Sequence, residues 1–275
     1  MVKPVRIRDF AIGEEALTLI AGPCLAESQD VCWRVAEKVQ NLCAKFGFNY
    51  IFKASFDKAN RTSGGTVRGF GIHEGLELIR QTKDRFGVPA TTDVHLPEQA
   101  AVAADVVDLL QVPAFLCRQS DLLQACAETG KPVNVKKGQF LAPHDTKNIV
   151  EKLASFGSVG TMLTERGTTF GYNALVVDMP GLEIMRSFGV PVCFDATHSA
   201  QRPGGQGTAS GGNREFIPAM IRAAVAVGID ALFMEVHPDP AHALSDAATQ
   251  WPLDRAEEML ATVARLRQLA SALPA

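Results

Sequence analysis

Eight short apolar runs, each followed by a segment with helical periodicity, recur along almost the whole chain. The runs cover residues 17–23, 48–55, 88–94, 106–112, 133–137, 159–165, 190–196 and 231–236. Short apolar runs that alternate with helical segments predict parallel strands joined by right-handed crossovers. Several helical segments end at a glycine, as at Gly47 and Gly87, which is a common helix stop. The alternation predicts an α/β fold, a (β/α)8 TIM barrel.

One barrel accounts for the whole chain. Barrels of this kind commonly contain about 250 residues, so a chain of 275 fits one domain. No change in composition marks a linker, and we predict a single catalytic domain over residues 1–275, with the weakly alternating residues 1–12 as a short N-terminal cap. A doubly wound open sheet is the alternative. It is less favoured because the first run, which ends in Ala21-Gly-Pro-Cys24, lacks the Gly-x-Gly-x-x-Gly dinucleotide fingerprint.

Composition and charge argue against several classes of protein. With 47% hydrophobic and 21% charged residues, the chain can bury a large core and does not resemble a disordered protein. A net charge of −3 gives no reason to expect a nucleic-acid or membrane partner. The six cysteines are scattered, without a Cys-x-x-Cys pair, and no apolar run approaches the ~18 residues of a membrane span. We expect a cytoplasmic protein with reduced thiols.

Polar and titratable residues follow each of the eight apolar runs. In strand order they are Cys24 and Glu27, Lys53 and Ser55, Asp93 and His95, Gln111, Lys136 and Gln139, Glu165 and Arg166, Asp195 and His198, and Glu235 and His237. The carboxyl ends of parallel barrel strands meet at one face, which is where such barrels carry their active sites. The pattern therefore predicts an active site at that face.

A set of cations lies among these strand ends: Lys53, Lys58, Lys136 and Arg166, with Arg61 nearby. Burying this much like charge is costly without a compensating anion. Phosphate and carboxylate groups of a substrate would compensate it, and arginine can bind either group through two parallel hydrogen bonds. The alternative is that the cations form structural ion pairs with Asp57, Asp93 or Glu165. For the set as a whole, the sequence favours an anion site.

A second set consists of Cys24, His198, Glu235 and Asp246. A thiolate, an imidazole and two carboxylates suit Zn²⁺, Fe²⁺ or another first-row divalent ion. The alternative makes Cys24 a small buried apolar residue and His198 a hydrogen-bonded loop residue. Spacing alone favours that alternative, because four residues from four distant segments do not form a motif.

Eight ordered segments of the chain match one pattern. They are Ala21-Gly-Pro-Cys24, residues 52–63 (FKASFDKANRTS), Thr92-Asp-Val-His95, residues 110–119 (LQVPAFLCRQ), residues 134–139 (NVKKGQ), residues 164–172 (TERGTTFGY), residues 194–199 (FDATHS) and residues 234–238 (MEVHP). Through these segments the chain closely resembles the 3-deoxy-D-manno-octulosonate 8-phosphate synthases along almost its whole length.

The resemblance implies an activity and an assembly. These synthases condense phosphoenolpyruvate with D-arabinose 5-phosphate and release phosphate; their product enters the inner core of lipopolysaccharide. They are (β/α)8 barrels, usually homotetramers, with small-molecule substrates and no nucleic-acid or membrane partner. One class needs a divalent metal ion (Zn²⁺, Fe²⁺, Mn²⁺ or Co²⁺), and the other has Asn in place of Cys24. By resemblance, Cys24, His198, Glu235 and Asp246 are the metal ligands.

The resemblance also implies roles for the cations. Lys53, Lys58, Lys136 and Arg166 would hold the phosphate and carboxylate of phosphoenolpyruvate, assisted by Gln111 and the backbone near Ala114. The sugar and its phosphate would contact Asn60, Arg61, Thr62 and Ser63, where the family usually has Ser in place of Thr62. Asp93 would lie near the aldehyde, and His198 would act in catalysis as well as in metal binding.

Two rival functions are open. The 3-deoxy-D-arabino-heptulosonate 7-phosphate synthases share the barrel, phosphoenolpyruvate and the metal site, but typically carry Lys-Pro-Arg-Thr where this chain has Lys58-Ala-Asn-Arg-Thr62. From another class, the chain could be a catalytically silent phosphosugar-binding or structural barrel. The complete sets of cations and possible ligands argue against that function.

Overall fold

The computed structural model describes residues 2–59, 67–204 and 211–272. Within those residues, eight parallel strands form a closed barrel. They are β1 (Thr18–Gly22), β2 (Asn49–Lys53), β3 (Ala90–Asp93), β4 (Leu109–Val112), β5 (Val133–Lys136), β6 (Thr161–Glu165), β7 (Val192–Asp195) and β8 (Ala231–His237). Each strand pairs with the next, and β8 also pairs with β1, with Ala231 opposite Thr18 and Glu235 opposite Gly22. This last pairing removes both free edges and confirms the predicted barrel.

A helix follows each strand in the described part of the chain. They are α1 (Gln29–Phe46), α2 (Gly71–Phe86), α3 (Pro97–Ala104), α4 (Ser120–Glu128), α5 (Lys147–Ser155), α6 (Met179–Arg186), α7 (Ile217–Val227) and α8 (Ala256–Ser271). Helix α1 shows how the sequence sets the ends: the Ser28 hydroxyl accepts a hydrogen bond from Val31 N at 3.2 Å, and Gly47 adopts φ 72° at the other end. Only glycine adopts this left-handed conformation without strain. No helix in these ranges is long and apolar enough to cross a membrane.

The N-terminal segment closes the bottom of the barrel, as the predicted cap. Strands Val5–Ile7 and Phe10–Ile12 form an antiparallel hairpin. Its side chains pack in one buried cluster with the barrel residues Ile20, Ile51, Leu109, Met162, Cys193, Ala231 and Phe233. The interior is therefore apolar at this end, which leaves the carboxyl ends of the strands for polar chemistry.

Most strand ends lie one to three residues from the predicted positions, and local hydrogen bonds explain two of these differences. The fourth run was expected from residue 106, but the backbone N–H groups of Val106 and Val107 both bond to Ala103 O and finish helix α3. The seventh was expected to run to residue 196, but it stops at Asp195, whose carboxylate caps a one-turn helix, Ala196–Ser199. In both places local hydrogen bonds outweigh the apolar character of the sequence. This one-turn helix carries His198.

Candidate active site

Buried polar side chains are concentrated where the barrel strands end. Gly22, the last residue of β1, passes so close to β2 that a Cβ atom there would lie 1.8 Å from Lys53 O. This close approach brings Cys24, just beyond β1, beside Lys53. The Lys53 ammonium donates a hydrogen bond to Cys24 O at 3.3 Å. A glycine at position 22 is therefore required by packing between two strands.

Lys53 and Glu235 form a buried ion pair across the barrel. Lys53 Nζ lies 2.7 Å from Glu235 Oε1, and both side chains are at most 1% exposed. Lys58 Nζ is 4.0 Å from the same oxygen. Burial raises the pKa of Glu235, but the positive charges of His198, Lys53 and Lys58 outweigh it and lower that pKa to about 2. Glu235 is therefore a carboxylate at neutral pH.

The carboxylate of Asp195 contacts both Lys136 and His198. Its Oδ2 accepts a hydrogen bond from Lys136 Nζ at 2.6 Å and lies 2.8 Å from His198 Nδ1. Its Oδ1 accepts from the backbone N–H of His198 at 3.0 Å. Although Asp195 is fully buried, the charges of His198 and Lys136 hold its pKa well below the usual range. With Nδ1 held by a carboxylate, the other ring nitrogen of His198 is directed away from Asp195, toward Glu235 and Asp246.

Arg166 lies directly after β6, next to β5, which ends in Lys136. Its side chain is 5% exposed, and Nη2 donates to Gln201 Oε1 at 2.9 Å. Nη1 is buried and has no hydrogen-bond partner in the described part of the chain. Burial lowers the pKa of Arg166, although nearby carboxylates, Asp195 first among them, oppose that effect. A buried guanidinium nitrogen without an acceptor calls for an anion.

The alternative ion pairs with Asp57, Asp93 or Glu165 are not those that Lys53 and Lys136 form in the described part of the chain. Asp57 pairs with Arg68, and Glu165 lies 3.5 Å from Lys137, another fully buried lysine. Asp93 accepts hydrogen bonds from the Ser55 hydroxyl and from Gln111 Nε2. The cations Lys53 and Lys136 instead pair with Glu235 and Asp195, which lie inside the same polar cluster.

The predicted metal ligands meet at this face. Ligand atoms of Cys24, Glu235 and Asp246 all lie within 4.8 Å of one another. His198 Nε2 is 3.6 Å from Glu235 Oε1 and 3.6 Å from Asp246 Oδ2. Glu235 Oε2 is buried and makes no hydrogen bond to any residue that the structure describes. One sulfur, one nitrogen and two carboxylates around an unsatisfied buried oxygen fit a first-row divalent ion.

Cys24 lies in a buried environment beside two carboxylates. Burial, with the negative charges of Asp246 and Glu235, raises the pKa of this thiol far above its usual value. The thiol lies 2.9 Å from Ser245 Oγ and 3.4 Å from Asp246 Oδ2. Without a bound cation the thiol keeps its proton, so metal binding here must displace that proton.

Asp246 lies on the segment after β8, which is held in place by several contacts. It adopts φ 46°, a left-handed conformation that is uncommon outside glycine. Gln250 accepts a hydrogen bond from Cys24 N at 3.2 Å and donates one to Ser245 O at 2.8 Å. The Glu27 carboxylate lies 2.5 Å from His237 Nε2 and accepts from Leu244 N at 3.0 Å. These contacts tie the segment to the end of β1.

The remaining predicted residues are placed as follows. Asp93 and Gln111 are register partners on β3 and β4, and their side chains are hydrogen bonded. Ala114 is buried at the start of a turn, Ala114–Leu116, directly after β4. Asn60, Arg61, Thr62 and Ser63 lie outside the described residues, so their roles stay predictions.

Sequence reasoning did not assign a site role to several residues that the structure places here. They are Asp195, Ser55, Lys137, Asn134, Ser245, Gln250, Glu27 and His237. Most of them stand inside the eight matching segments or at strand ends, which was the available signal. Their partners, however, are far apart in sequence, and no local pattern shows which side chains will meet.

Comparison with known proteins shows the family to which this chain belongs. A family model described as the DAHP synthetase I family matches residues 3–272. This chain belongs to the DAHP synthetase I family. Within it, the chain is 57% identical over 255 residues to a 2-dehydro-3-deoxyphosphooctonate aldolase of Dechloromonas aromatica (strain RCB), covering 92% of each chain.

Other relatives in the family carry the same name. An enzyme of Cyanothece sp. (strain PCC 7425 / ATCC 29141) is 53% identical over 268 residues, covering 97% of this chain and 98% of its own. One from Xanthomonas campestris pv. campestris (strain B100) is 54% identical over 263 residues, covering 95% of each. Both are named 2-dehydro-3-deoxyphosphooctonate aldolase. These alignments extend over the barrel and the polar face together.

Proposed function

We propose that this protein condenses phosphoenolpyruvate with D-arabinose 5-phosphate to give 3-deoxy-D-manno-octulosonate 8-phosphate and inorganic phosphate, a step in the synthesis of the lipopolysaccharide inner core. The names of the relatives support this reaction. The observation that carries it is the buried guanidinium of Arg166, with an unsatisfied nitrogen, directly after the strand that pairs with the strand of Lys136. A substrate with both a phosphate and a carboxylate matches these cations.

The reaction forms one carbon–carbon bond and one carbon–oxygen bond, from water to carbon 2, and it breaks the carbon–oxygen bond to the phosphate. Carbon 3 of the enol attacks the aldehyde carbon of the sugar, the aldehyde oxygen takes a proton, and water adds to carbon 2. The resulting hemiketal phosphate loses phosphate with cleavage of its carbon–oxygen bond. Lys136 and Arg166 would neutralise the anionic groups of phosphoenolpyruvate, with Lys53 and Lys58 on the neighbouring side. Asp93 would orient the aldehyde, so that binding energy holds the two carbons in attack geometry.

We also propose that Cys24, His198, Glu235 and Asp246 hold a divalent metal ion. Such an ion would supply Lewis acidity near the aldehyde or the attacking water. Within the chain itself, Asp195 keeps His198 Nδ1 engaged and so leaves Nε2 for the metal. Absorption of the Co²⁺-loaded protein tests this assignment: a thiolate-to-cobalt band should appear in the wild type and be absent in Cys24→Asn.

The finer assignments of assembly and location are proposals as well. Large aromatic side chains are exposed on the loops after β4, β5 and β6: Phe115, Phe140, Phe170 and Tyr172, at 55%, 58%, 72% and 100% exposure. Aromatic residues are enriched in protein interfaces, which supports a homo-oligomer, the predicted tetramer. Light scattering of the purified protein tests this. We place the enzyme in the cytoplasm, where its phosphorylated substrates would be made.

Phosphate release with two aldose phosphates tests the main proposal. With phosphoenolpyruvate, we expect turnover with arabinose 5-phosphate and little with erythrose 4-phosphate, the substrate of the heptulosonate synthases. Turnover with erythrose 4-phosphate instead would support that rival, and no turnover with either would support a silent barrel. The same assay with a chelator, followed by added Zn²⁺, Fe²⁺, Mn²⁺ or Co²⁺, reports whether the metal is needed.

A further inference from the structure

A row of hydrogen-bonded polar side chains follows neighbouring strands around the barrel at the level of Asp93. Its members are Ser55, Asp93, Gln111, Asn134 and Thr164, which we call the polar row. They lie on or just after five consecutive strands, β2 to β6, and Asp93, Gln111 and Asn134 are direct register partners. The four residues other than Asp93 are at most 1% exposed. The row is thus a continuous chain of side-chain hydrogen bonds along the barrel wall, beside the proposed substrate site.

Each hydrogen bond in the polar row has a defined direction. The Lys58 ammonium can only donate, so Ser55 Oγ accepts from it at 2.9 Å and donates its own proton to Asp93 Oδ2 at 2.7 Å. On the other side, Asp93 Oδ1 accepts from Gln111 Nε2. The carboxylate of Asp93 is thus the acceptor at which both halves of the row end.

The direction of the Gln111 half depends on two more residues. With Nε2 on Asp93, Gln111 presents its carbonyl oxygen Oε1 to Asn134, whose Nδ2 donates to it at 3.2 Å. Asn134 can offer that donor only while its own oxygen faces the other way, and there Oδ1 accepts from the Thr164 hydroxyl at 2.7 Å. A side-chain amide can flip at little steric cost, so the donor at the end of the row sets its orientation.

We propose that Asn134 and Thr164 are positioning residues for catalysis, which fix the Gln111 amide so that its N–H group faces Asp93 and holds that carboxylate at the sugar aldehyde. The inference rests on the proposed function, since it takes Asp93 and Gln111 as substrate-site residues. Neither Asn134 nor Thr164 needs to touch a substrate. Loss of the Thr164 donor would let Asn134 and then Gln111 turn, which places a carbonyl oxygen against a carboxylate.

Buried threonine hydroxyls in the described part of this barrel do not always have a hydrogen-bond partner. The hydroxyl groups of Thr91 and Thr92 on β3 are equally buried and make no hydrogen bond within the described ranges. The interior therefore tolerates a buried threonine without a partner. Moreover, replacing both partners of a buried hydrogen bond by apolar groups of the same shape can be nearly neutral for stability. The direction of the hydrogen bonds, which stability alone does not require, points to positioning.

Thr164→Val tests the proposal, because it removes the donor and keeps the shape. We expect kcat to fall roughly tenfold to 100-fold, the range that a misplaced reacting group can cost. KM for both substrates should change by less than about twofold, since the cations that bind the phosphates are untouched. Thr164→Ser should restore kcat because it restores the donor. Thr91→Val, a matched change in the same barrel, should behave like the wild type.

A second measurement separates positioning from a general structural effect. If Thr164 acts through Gln111, then Thr164→Val should cost nothing further in a Gln111→Ala background. Thr164→Ala offers the same test if the valine variant does not fold. A wild-type kcat in Thr164→Val, or equal losses in the two backgrounds, would overturn the inference. Wild-type turnover in Gln111→Ala alone would instead show that the assignment of Gln111 to the substrate site is wrong.

Discussion

The buried pair of Lys53 and Glu235 allows a quantitative prediction for Lys53→Met. At 2.7 Å and an effective dielectric constant of about 20, the attraction between the two charges is about 6 kcal/mol. Removing each charge from water costs several kcal/mol, so the pair as a whole contributes little to stability. Removal of Lys53 alone, however, leaves a carboxylate buried beside a methionine.

The expected loss for Lys53→Met is about 3 kcal/mol in the free energy of unfolding, at the lower end of the ~3–5 kcal/mol seen when one partner of a buried pair is removed. We take the lower end because Lys58 Nζ, 4.0 Å from the same Glu235 oxygen, still compensates part of the charge. The double variant Lys53→Met/Glu235→Met should be more stable than Lys53→Met, since it buries no unpaired charge.

Urea unfolding with a chelator present measures these differences without a contribution from bound metal. The pH dependence provides a second check. In the wild type the pKa of Glu235 is about 2, below its value near 4.3 in the unfolded chain. The stability contributed by the ionised Glu235 is therefore fully present above about pH 4.3 and is lost as the pH falls through about 2. Without Lys53 this pKa rises, and the deficit of the variant should shrink as the pH is lowered from 7 toward 3. The argument is refuted if the double variant loses as much free energy of unfolding as Lys53→Met and Glu235→Met lose in sum.

Three further predictions concern single residues. Gly22→Ala should lower the free energy of unfolding by about 4 kcal/mol or more, because its Cβ would lie 1.8 Å from Lys53 O. Gly47→Ala, with open space around the new Cβ, should lower it by only about 1–2 kcal/mol, and thermal unfolding of both variants measures the difference. Asp108→Asn should lower the free energy of unfolding by about 1–3 kcal/mol at pH 7. Burial raises the pKa of Asp108, but hydrogen bonds from Ala90 N, Arg8 and Lys83 outweigh burial and lower that pKa overall. The stability that Asp108 contributes is therefore present above about pH 4 and is lost as the pH falls through the pKa of the folded state. Urea midpoints that differ as much at pH 3 as at pH 7 would contradict this. Arg166→Lys should lower kcat/KM for phosphoenolpyruvate by roughly 100-fold in the phosphate-release assay, because lysine cannot reproduce the planar pair of donors. The control Arg80→Lys, on the surface of α2, should leave kcat/KM unchanged.

The order of elements was readable from the sequence because hydrophobic periodicity and glycine stops are local signals. All eight strands and the helices between them lie where the periodicity predicts, and errors occur at ends such as Val106 and Ala196, where nearby hydrogen bonds decide. The likeness of eight segments to one family identified the polar face before any contact was known. These are properties of short stretches, which neighbouring residues determine.

The pairing of charges was decided only by the closed barrel. Lys53 and Glu235 are 182 residues apart, and Cys24 and Asp246 are 222 apart. They meet because β8 pairs with β1 and brings both segments to the same face. The sequence favours a substrate anion site for the lysines, with Asp57, Asp93 or Glu165 as alternative partners, and it gives no role to Asp195 or Asn134. Their contacts depend on strand register and side-chain direction around the ring, and neither quantity is encoded in any one stretch of the chain.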